Sequence, residues 1–268
     1  MSQGKRDFAE LFYASFSLVK PRRVGLGSIS DEWSDHVLPH SPIEELAPSL
    51  WHVTGTLPVI PREMVVYKLA DSNLLIHSAI ALDEANMAQL ESLGTPKIMI
   101  VPNRIHTIDA SVYKDRYPDL LVVTPEAAKP YVESSIPIDA TTEELLPDYG
   151  IICHQPVGIR PQELAYELPL SIGKALVFTD ILFNLTETYL DQHMPRSKLV
   201  FRFLRASGYF GITALGQRFF MTDKRAYREW LQALADNIPS LCVISVAHGE
   251  PIVVNCTERL REAAARLL

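Results

Sequence analysis

Apolar and polar residues change their spacing several times along the chain. From Leu50 onward, short β-rich runs are separated by turn residues such as Asp71 and Asn73, which predicts an antiparallel meander. Helix-like and strand-like runs then alternate, which predicts strand–helix–strand units. The predicted strands of this half lie at 50–54, 64–69, 73–78, 97–101 and 120–123. The predicted helices lie at 84–93, where Asp83 is the N-cap, at 110–117, and from Pro125 onward.

The second half of the chain again contains a group of predicted strands followed by predicted helices. Strands are predicted at 150–153, 163–168, 174–179 and 241–246, and helices at 195–206, 223–236 and 258–268. Two sheets flanked by helices would bury these apolar strands, and no linker divides the region into two units. The pattern therefore predicts a mixed α/β (α+β) domain over residues 49–268.

Residues 1–48 lack the regular spacing of apolar residues that follows from Leu50 onward. A short helical pattern at 7–18 is followed by closely spaced prolines and glycines, including Pro21, Gly25, Pro39 and Pro42, which interrupt regular structure. We predict that this stretch is a leader or arm that precedes the domain.

Composition narrows the function classes. Of the 268 residues, 47% are hydrophobic and 21% are charged, which is typical of a folded protein and excludes a disordered or fibrous chain. The net charge of −7 gives no basic surface for binding nucleic acid or an anionic membrane.

The three cysteines lie far apart, and no apolar run is long enough to span a bilayer. We predict a cytoplasmic protein with a small-molecule substrate, with neither nucleic acid nor membrane as a partner. The pattern leaves the oligomeric state open.

Four side chains able to ligate a metal follow predicted strands: His106, Asp109, Asp180 and His248. Imidazole and carboxylate are the ligands that zinc, iron and manganese accept without thiolate, and loops at strand ends usually carry functional groups. These residues therefore predict a metal site. The alternatives are that Asp109 caps the helix that begins at Ala110, that Asp180 binds backbone amides, and that the histidines are ordinary loop residues.

Six segments in order along the chain resemble the metallo-β-lactamase fold superfamily, over about residues 50–254. They are LWHVTG, NLLIHSAI, KIMIVPNRIHTIDA, GIRPQELAYELP, KALVFTDILFN and ISVAHGEP. The chain is most similar to a subgroup in which PNxxH replaces the HxHxDH metal motif. The resemblance implies a four-layer αββα sandwich with a site at one edge of the paired sheets. That site holds one or two zinc or iron ions, and a metal-activated water attacks a carbonyl, thioester or phosphoester.

Under this resemblance, Asp180 matches the bridging aspartate and His248 the late histidine. If His106 takes the second histidine of HxHxDH, Arg104 takes the first and Asp109 the third. A shift of one residue, with Asn103 on the first histidine, is the open alternative, and it leaves His106 between two ligand positions.

In the first register Ile108 also falls on the aspartate of HxHxDH, and a further position departs from the family pattern. Ile159 stands where the GHTPG motif supplies a histidine, so a two-metal centre is not expected; His154, just before this segment, is an alternative ligand. We expect one divalent metal held by His106, Asp109, Asp180 and His248, with zinc foremost and iron or manganese as alternatives.

Three functions remain open at the level of sequence. The first is a metal-dependent hydrolase acting on an ester, thioester, lactone or phosphoester. The second is a metal-free pseudoenzyme or small-molecule-binding protein on the same fold, which the broken motif and Ile159 favour. The third is a metal-independent lyase or isomerase that uses His106 or Asp180 for acid–base chemistry.

Overall fold

The structure is a computed structural model that describes residues 29–57, 60–203 and 206–267. The predicted helix at 7–18 lies outside the described residues. Within them the chain forms two large sheets and the helices that cover them.

The first sheet has seven strands in chain order. They are β1 (Glu44–Ala47), β2 (Leu50–Gly55), β3 (Arg62–Lys68), β4 (Leu74–His77), β5 (Pro96–Ile100), β6 (Leu121–Thr124) and β7 (Ala140–Thr141). Strands β1 to β4 pair antiparallel, whereas β4 to β7 pair parallel. The change occurs because β4 and β5 are joined through a helix rather than a tight turn. The carboxyl ends of β4, β5 and β6 therefore lie at one edge of the sheet.

The second sheet has four strands in the order β13-β10-β9-β8. Its members are β8 (Ile152–His154), β9 (Ala165–Leu170), β10 (Gly173–Phe178) and β13 (Leu241–Val246). Strands β10 and β13 are parallel neighbours, so they end side by side. A small ribbon of β11 (Phe183–Asn184) and β12 (Phe210–Gly211) lies apart from both sheets.

Helices fill the connections between these strands. They are α1 (Ile29–His36), α2 (Glu84–Leu93), α3 (Ala110–Arg116), α4 (Lys129–Val132), α5 (Thr142–Leu145), α6 (Glu187–His193), α7 (Lys198–Phe203), α8 (Ala214–Phe219), α9 (Lys224–Asn237) and α10 (Cys256–Ala265). As predicted, Asp83 caps α2 by accepting the amide of Asn86 at 2.8 Å. None of the helices in the described ranges is long and apolar enough to cross a membrane.

The core consists of three main layers of apolar contact. A middle layer joins the sheets and includes Tyr67 and Leu75 from the first and Tyr166 and Val177 from the second. One outer layer packs the first sheet under α1, α2 and α3, and the other packs the second sheet under α9 and α10. This arrangement confirms the predicted αββα sandwich, because each sheet buries one face against the other sheet and one face against helices.

The structure corrects the predicted elements in three places. Residues 29–47, predicted as part of an irregular leader, form helix α1 and the edge strand β1. Pro39 and Pro42 lie between α1 and β1, so they interrupt neither element. The helix predicted from Pro125 begins later, at Lys129, and α6 was not predicted because only Tyr189 and Leu190 of its seven residues are buried.

His77, at the end of β4, is buried between the sheets. Its Nε2 lies 3.4 Å from the Thr179 hydroxyl, and its Nδ1 has no hydrogen-bond partner among the described residues. Burial lowers the pKa of His77 from its ordinary value of 6.5 to about 3. The folded protein therefore holds this ring neutral, while the unfolded chain takes up a proton below pH 6.5.

Because only the unfolded state binds that proton, His77 makes the protein less stable as pH falls from 6.5 towards 3. The slope from one such group is on the order of 1.4 kcal/mol per pH unit. We expect His77→Leu to flatten the dependence of unfolding free energy on pH, measured by urea denaturation between pH 7 and 4 with a chelator present. The control is His193→Leu, because His193 is exposed, and this variant should keep the pH dependence of the wild type. Equal slopes of unfolding free energy against pH for wild type and His77→Leu would contradict the expectation.

Candidate metal site

Three of the four predicted ligands meet at one edge of the paired sheets. One ligand atom from each of His106, Asp180 and His248 lies within 4.8 Å of the others, and the three residues are only 4%, 6% and 4% exposed. His106 follows β5 of the first sheet, while Asp180 and His248 follow the parallel neighbours β10 and β13 of the second. Parallel strands bring their carboxyl ends to a common edge, which is why residues so far apart in sequence converge.

Both imidazoles turn their Nε2 atoms toward Asp180. His248 Nε2 lies 3.1 Å from Asp180 Oδ1, and His106 Nε2 lies 3.5 Å from the same oxygen. On the far side of each ring, His248 Nδ1 donates to the Pro61 carbonyl at 2.7 Å, and His106 Nδ1 lies 2.6 Å from the Ser78 hydroxyl. A carbonyl oxygen only accepts, so the Nδ1 of His248 carries a proton. Metal-binding histidines are commonly oriented by such a partner on the second ring nitrogen.

The backbone around the cluster takes conformations that only particular residues tolerate well. Ser78 has a φ of 57°, and Gly249, directly after His248, has a φ of 119°. A Cβ at Gly249 would lie 2.3 Å from the carbonyl oxygen of Asn184, so the close approach of these two chain segments requires glycine. Asn184 N donates to the His248 carbonyl at 3.1 Å, and the ring of Phe183 stacks on the His248 imidazole. These contacts fix the position of His248.

Asn103 and Glu163 also belong to the site, although neither was among the predicted ligands. Asn103 Nδ2 donates to Asp180 Oδ2 at 2.7 Å, while Arg104 lies over the ring of Tyr131. Asn103 rather than Arg104 therefore faces the cluster, and His106 belongs to it, so neither of the two registers describes the PNxxH segment in full. Glu163 accepts the backbone amides of Asp180 and Ile181 at 2.8 and 3.0 Å. The sequence carried no signal for Glu163 beyond its place at the start of the strand predicted at 163–168.

The electrostatics of the cluster reflect burial and mutual contact. Burial raises the pKa of Glu163, and the nearby Asp180 carboxylate adds to this effect. For Asp180, burial acts in the same direction but is outweighed by His106 and His248, which hold its pKa well below the usual range. Burial also lowers the pKa of His106. A neutral imidazole facing an ionised carboxylate is the state that a cation requires of its ligands.

Asp109 does not join these three residues, which corrects the predicted four-residue ligand set. Its carboxylate is buried in an ion pair with Arg62, accepts the backbone amide of Ala81 at 2.9 Å, and lies 2.9 Å from His36 Nδ1. Burial alone would raise the pKa of Asp109, but Arg62 and His36 keep it below its ordinary value. Asp109 occupies the N-cap position of α3, as the alternative predicted, but its side chain makes no capping hydrogen bond there.

The other two positions singled out in the sequence lie outside the cluster. His154 Nε2 is 2.9 Å from Glu167 on the neighbouring strand β9, so it does not replace a missing ligand. Ile159 is buried and pairs with the backbone of Met221. The cluster in the described residues therefore has two nitrogen donors and one oxygen donor.

No family model matches the chain, and no curated protein matches it by sequence. Solved structures do match it over most of its length. The metallo-β-lactamase FIM-1 from Pseudomonas aeruginosa, in a mono-zinc form, aligns with a TM-score of 0.57 over 86% of this chain and 97% of its own, at 11% identity. The chain has the metallo-β-lactamase fold. The DIM-1 metallo-β-lactamase aligns with a TM-score of 0.59 over 86% of this chain and 100% of its own, at 12% identity.

A third metallo-β-lactamase structure aligns over a similar share of the chain. The enzyme from Erythrobacter litoralis aligns with a TM-score of 0.57 over 84% of this chain and 96% of its own, at 12% identity. Within this fold, His106, Asp180 and His248 fit a single divalent metal by their chemistry. Two imidazoles and a carboxylate form a common donor set for zinc, and three protein ligands leave a coordination position for water or substrate.

Proposed function

We propose that this protein is a metal-dependent hydrolase that holds one divalent ion through His106, Asp180 and His248. The observation that carries the proposal is the convergence of two Nε2 atoms on Asp180 Oδ1, with each Nδ1 atom held from behind by Pro61 or Ser78. Zinc is the first choice for this donor set, and iron or manganese are the alternatives.

When bound, a divalent ion acidifies a water molecule and polarises the oxygen of a carbonyl or phosphoryl group. The residues of this chain would hold and orient the ion. His248 donates its Nδ1 proton to the Pro61 carbonyl, so the lone pair on Nε2 is available to a metal ion. Glu163, by accepting the amides of Asp180 and Ile181, fixes the backbone from which the carboxylate projects.

The proposed substrate is a small ester, thioester, lactone or phosphoester. All three ligand residues are buried, so electrostatic interactions with the reacting group of the substrate would be strong there. The solved neighbour in a mono-zinc form supports the choice of zinc and of one ion.

A metal-free binding protein is the second candidate, and one observation favours it. Asp180 is already hydrogen-bonded by Asn103 and lies near both imidazoles, so its carboxylate has partners without an ion. In that case these side chains would stabilise the fold, and their removal would leave buried polar groups unpaired.

The deciding experiment is metal analysis by inductively coupled plasma mass spectrometry on untagged protein purified without chelators. We expect about one zinc, iron or manganese ion per chain, in line with a three-ligand site. We also expect hydrolysis of at least one ester, thioester, lactone or phosphoester, lost with a chelator and restored by metal. No bound metal after purification and after incubation with zinc would refute the hydrolase proposal and leave the binding protein.

A further inference from the structure

Two buried carboxylates meet at the edge of the candidate metal site. Asp180 Oδ2 and Glu163 Oε2 face the same nitrogen, Asn103 Nδ2, at 2.7 and 3.2 Å. Asp180 is 6% exposed and Glu163 only 1%. Buried acids this close repel each other unless a cation or a hydrogen-bond donor lies between them. In the described part of the chain, neither carboxylate is hydrogen-bonded to a lysine or arginine.

The Asn103 amide is held in one orientation. Its carbonyl oxygen accepts the backbone amides of Ile105 at 2.9 Å and His106 at 3.2 Å. Its two N–H groups are therefore aimed at the two carboxylates, and all four hydrogen-bonding positions of the amide are used. Turning the amide around would place an oxygen against two carboxylates and a nitrogen against two N–H groups.

We propose that Asn103 occupies the position of a second cation and thereby restricts the site to one metal ion. The proposal rests on the function proposed above, in which the first ion binds on the Oδ1 side of Asp180. On the opposite side, a second ion would require Asp180 Oδ2 and Glu163 Oε2 as ligands. The Asn103 amide takes both oxygens with neutral donors, so no second ion can reach them.

Asn103→Asp is the direct test, because it keeps the size of the side chain while it replaces the donor by a carboxylate oxygen. Three carboxylates would then converge, which is a typical site for a hard cation such as Mn²⁺. We expect the variant to bind about one more Mn²⁺ per chain than wild type, by mass spectrometry after equilibrium dialysis. We also expect its melting temperature to rise more steeply with Mn²⁺ concentration.

The double variant Asn103→Asp with Glu163→Gln is the matched control. Glu163 Oε1 accepts both backbone amides, whereas Oε2 faces residue 103 and also accepts the Asp180 amide at 3.1 Å. A glutamine at position 163 could therefore keep the two contacts of Oε1 to the backbone and donate its own side-chain amide to the aspartate introduced at position 103. The number of carboxylates then equals that of wild type. We expect this variant to bind the same number of Mn²⁺ ions as wild type.

The outcomes separate the two proposals. If wild type holds no metal, the hydrolase proposal fails, while an extra ion in Asn103→Asp would still support the role of Asn103. A folded Asn103→Asp that binds no more Mn²⁺ than wild type would overturn that role. If this variant folds only with Mn²⁺, the role is supported. If it fails to fold under both conditions, Asn103→Ala decides: an extra ion supports the role, and an unchanged number overturns it.

Discussion

Asp180→Ala is expected to abolish metal binding and hydrolysis together. Asp180 supplies the carboxylate of the three-residue cluster, and both Nε2 atoms face its Oδ1. Mutations of residues that merely orient a metal ligand typically cost about 10–100-fold in affinity, so loss of a ligand should exceed ~100-fold. Metal content and the rate of hydrolysis should be measured on the same preparation of the variant.

His154→Ala is the control for this experiment. His154 is a partly exposed histidine paired with Glu167 and lies outside the cluster, so its removal should leave the metal content and the rate unchanged. Circular dichroism of Asp180→Ala should show a folded protein. A folded Asp180→Ala that retains a full equivalent of metal would show that the ion binds elsewhere.

Arg62→Met is expected to destabilise the protein by about 3–5 kcal/mol, because it leaves the Asp109 carboxylate buried without its cation. Arg62 and Asp109 are both almost fully buried, and within the described residues Asp109 would keep His36 and the Ala81 amide as its partners. Urea denaturation at pH 7 measures the loss. The double variant Arg62→Met with Asp109→Leu should recover much of it, because it removes both charges.

The exposed pair of Arg225 and Glu229 provides the matched control on α9. Arg225→Met removes the same guanidinium group from an i,i+4 pair in solvent, where such pairs typically contribute less than ~0.5 kcal/mol. An Arg62→Met variant as stable as Arg225→Met would show that the buried pair contributes little. Arg62→Met is also expected to retain its metal, since the pair does not belong to the ligand cluster.

The sequence predicted those helices and strands whose defining residues all lie within the element itself. Strand β13 and helix α2 match their predicted bounds because each is a strongly apolar or clearly capped segment. The convergence of Asp180 and His248 could be anticipated from their places after strands. The role of Asp109 could not, because its partner Arg62 lies 47 residues away and only the fold brings the two together. The same holds for Glu163 and Asn103, which are 60 residues apart.

The three proposed ligands come from separate parts of the chain, since His106 follows a strand of the first sheet whereas Asp180 and His248 follow strands of the second. A chain that ends before β13 would lack His248, the first sheet alone would lack two of the three residues, and the second sheet alone would lack one. An ion that binds all three would therefore join the two sheets as a clamp, and its binding energy would add to their docking. During synthesis, this clamp could close only after nearly the whole domain had been made.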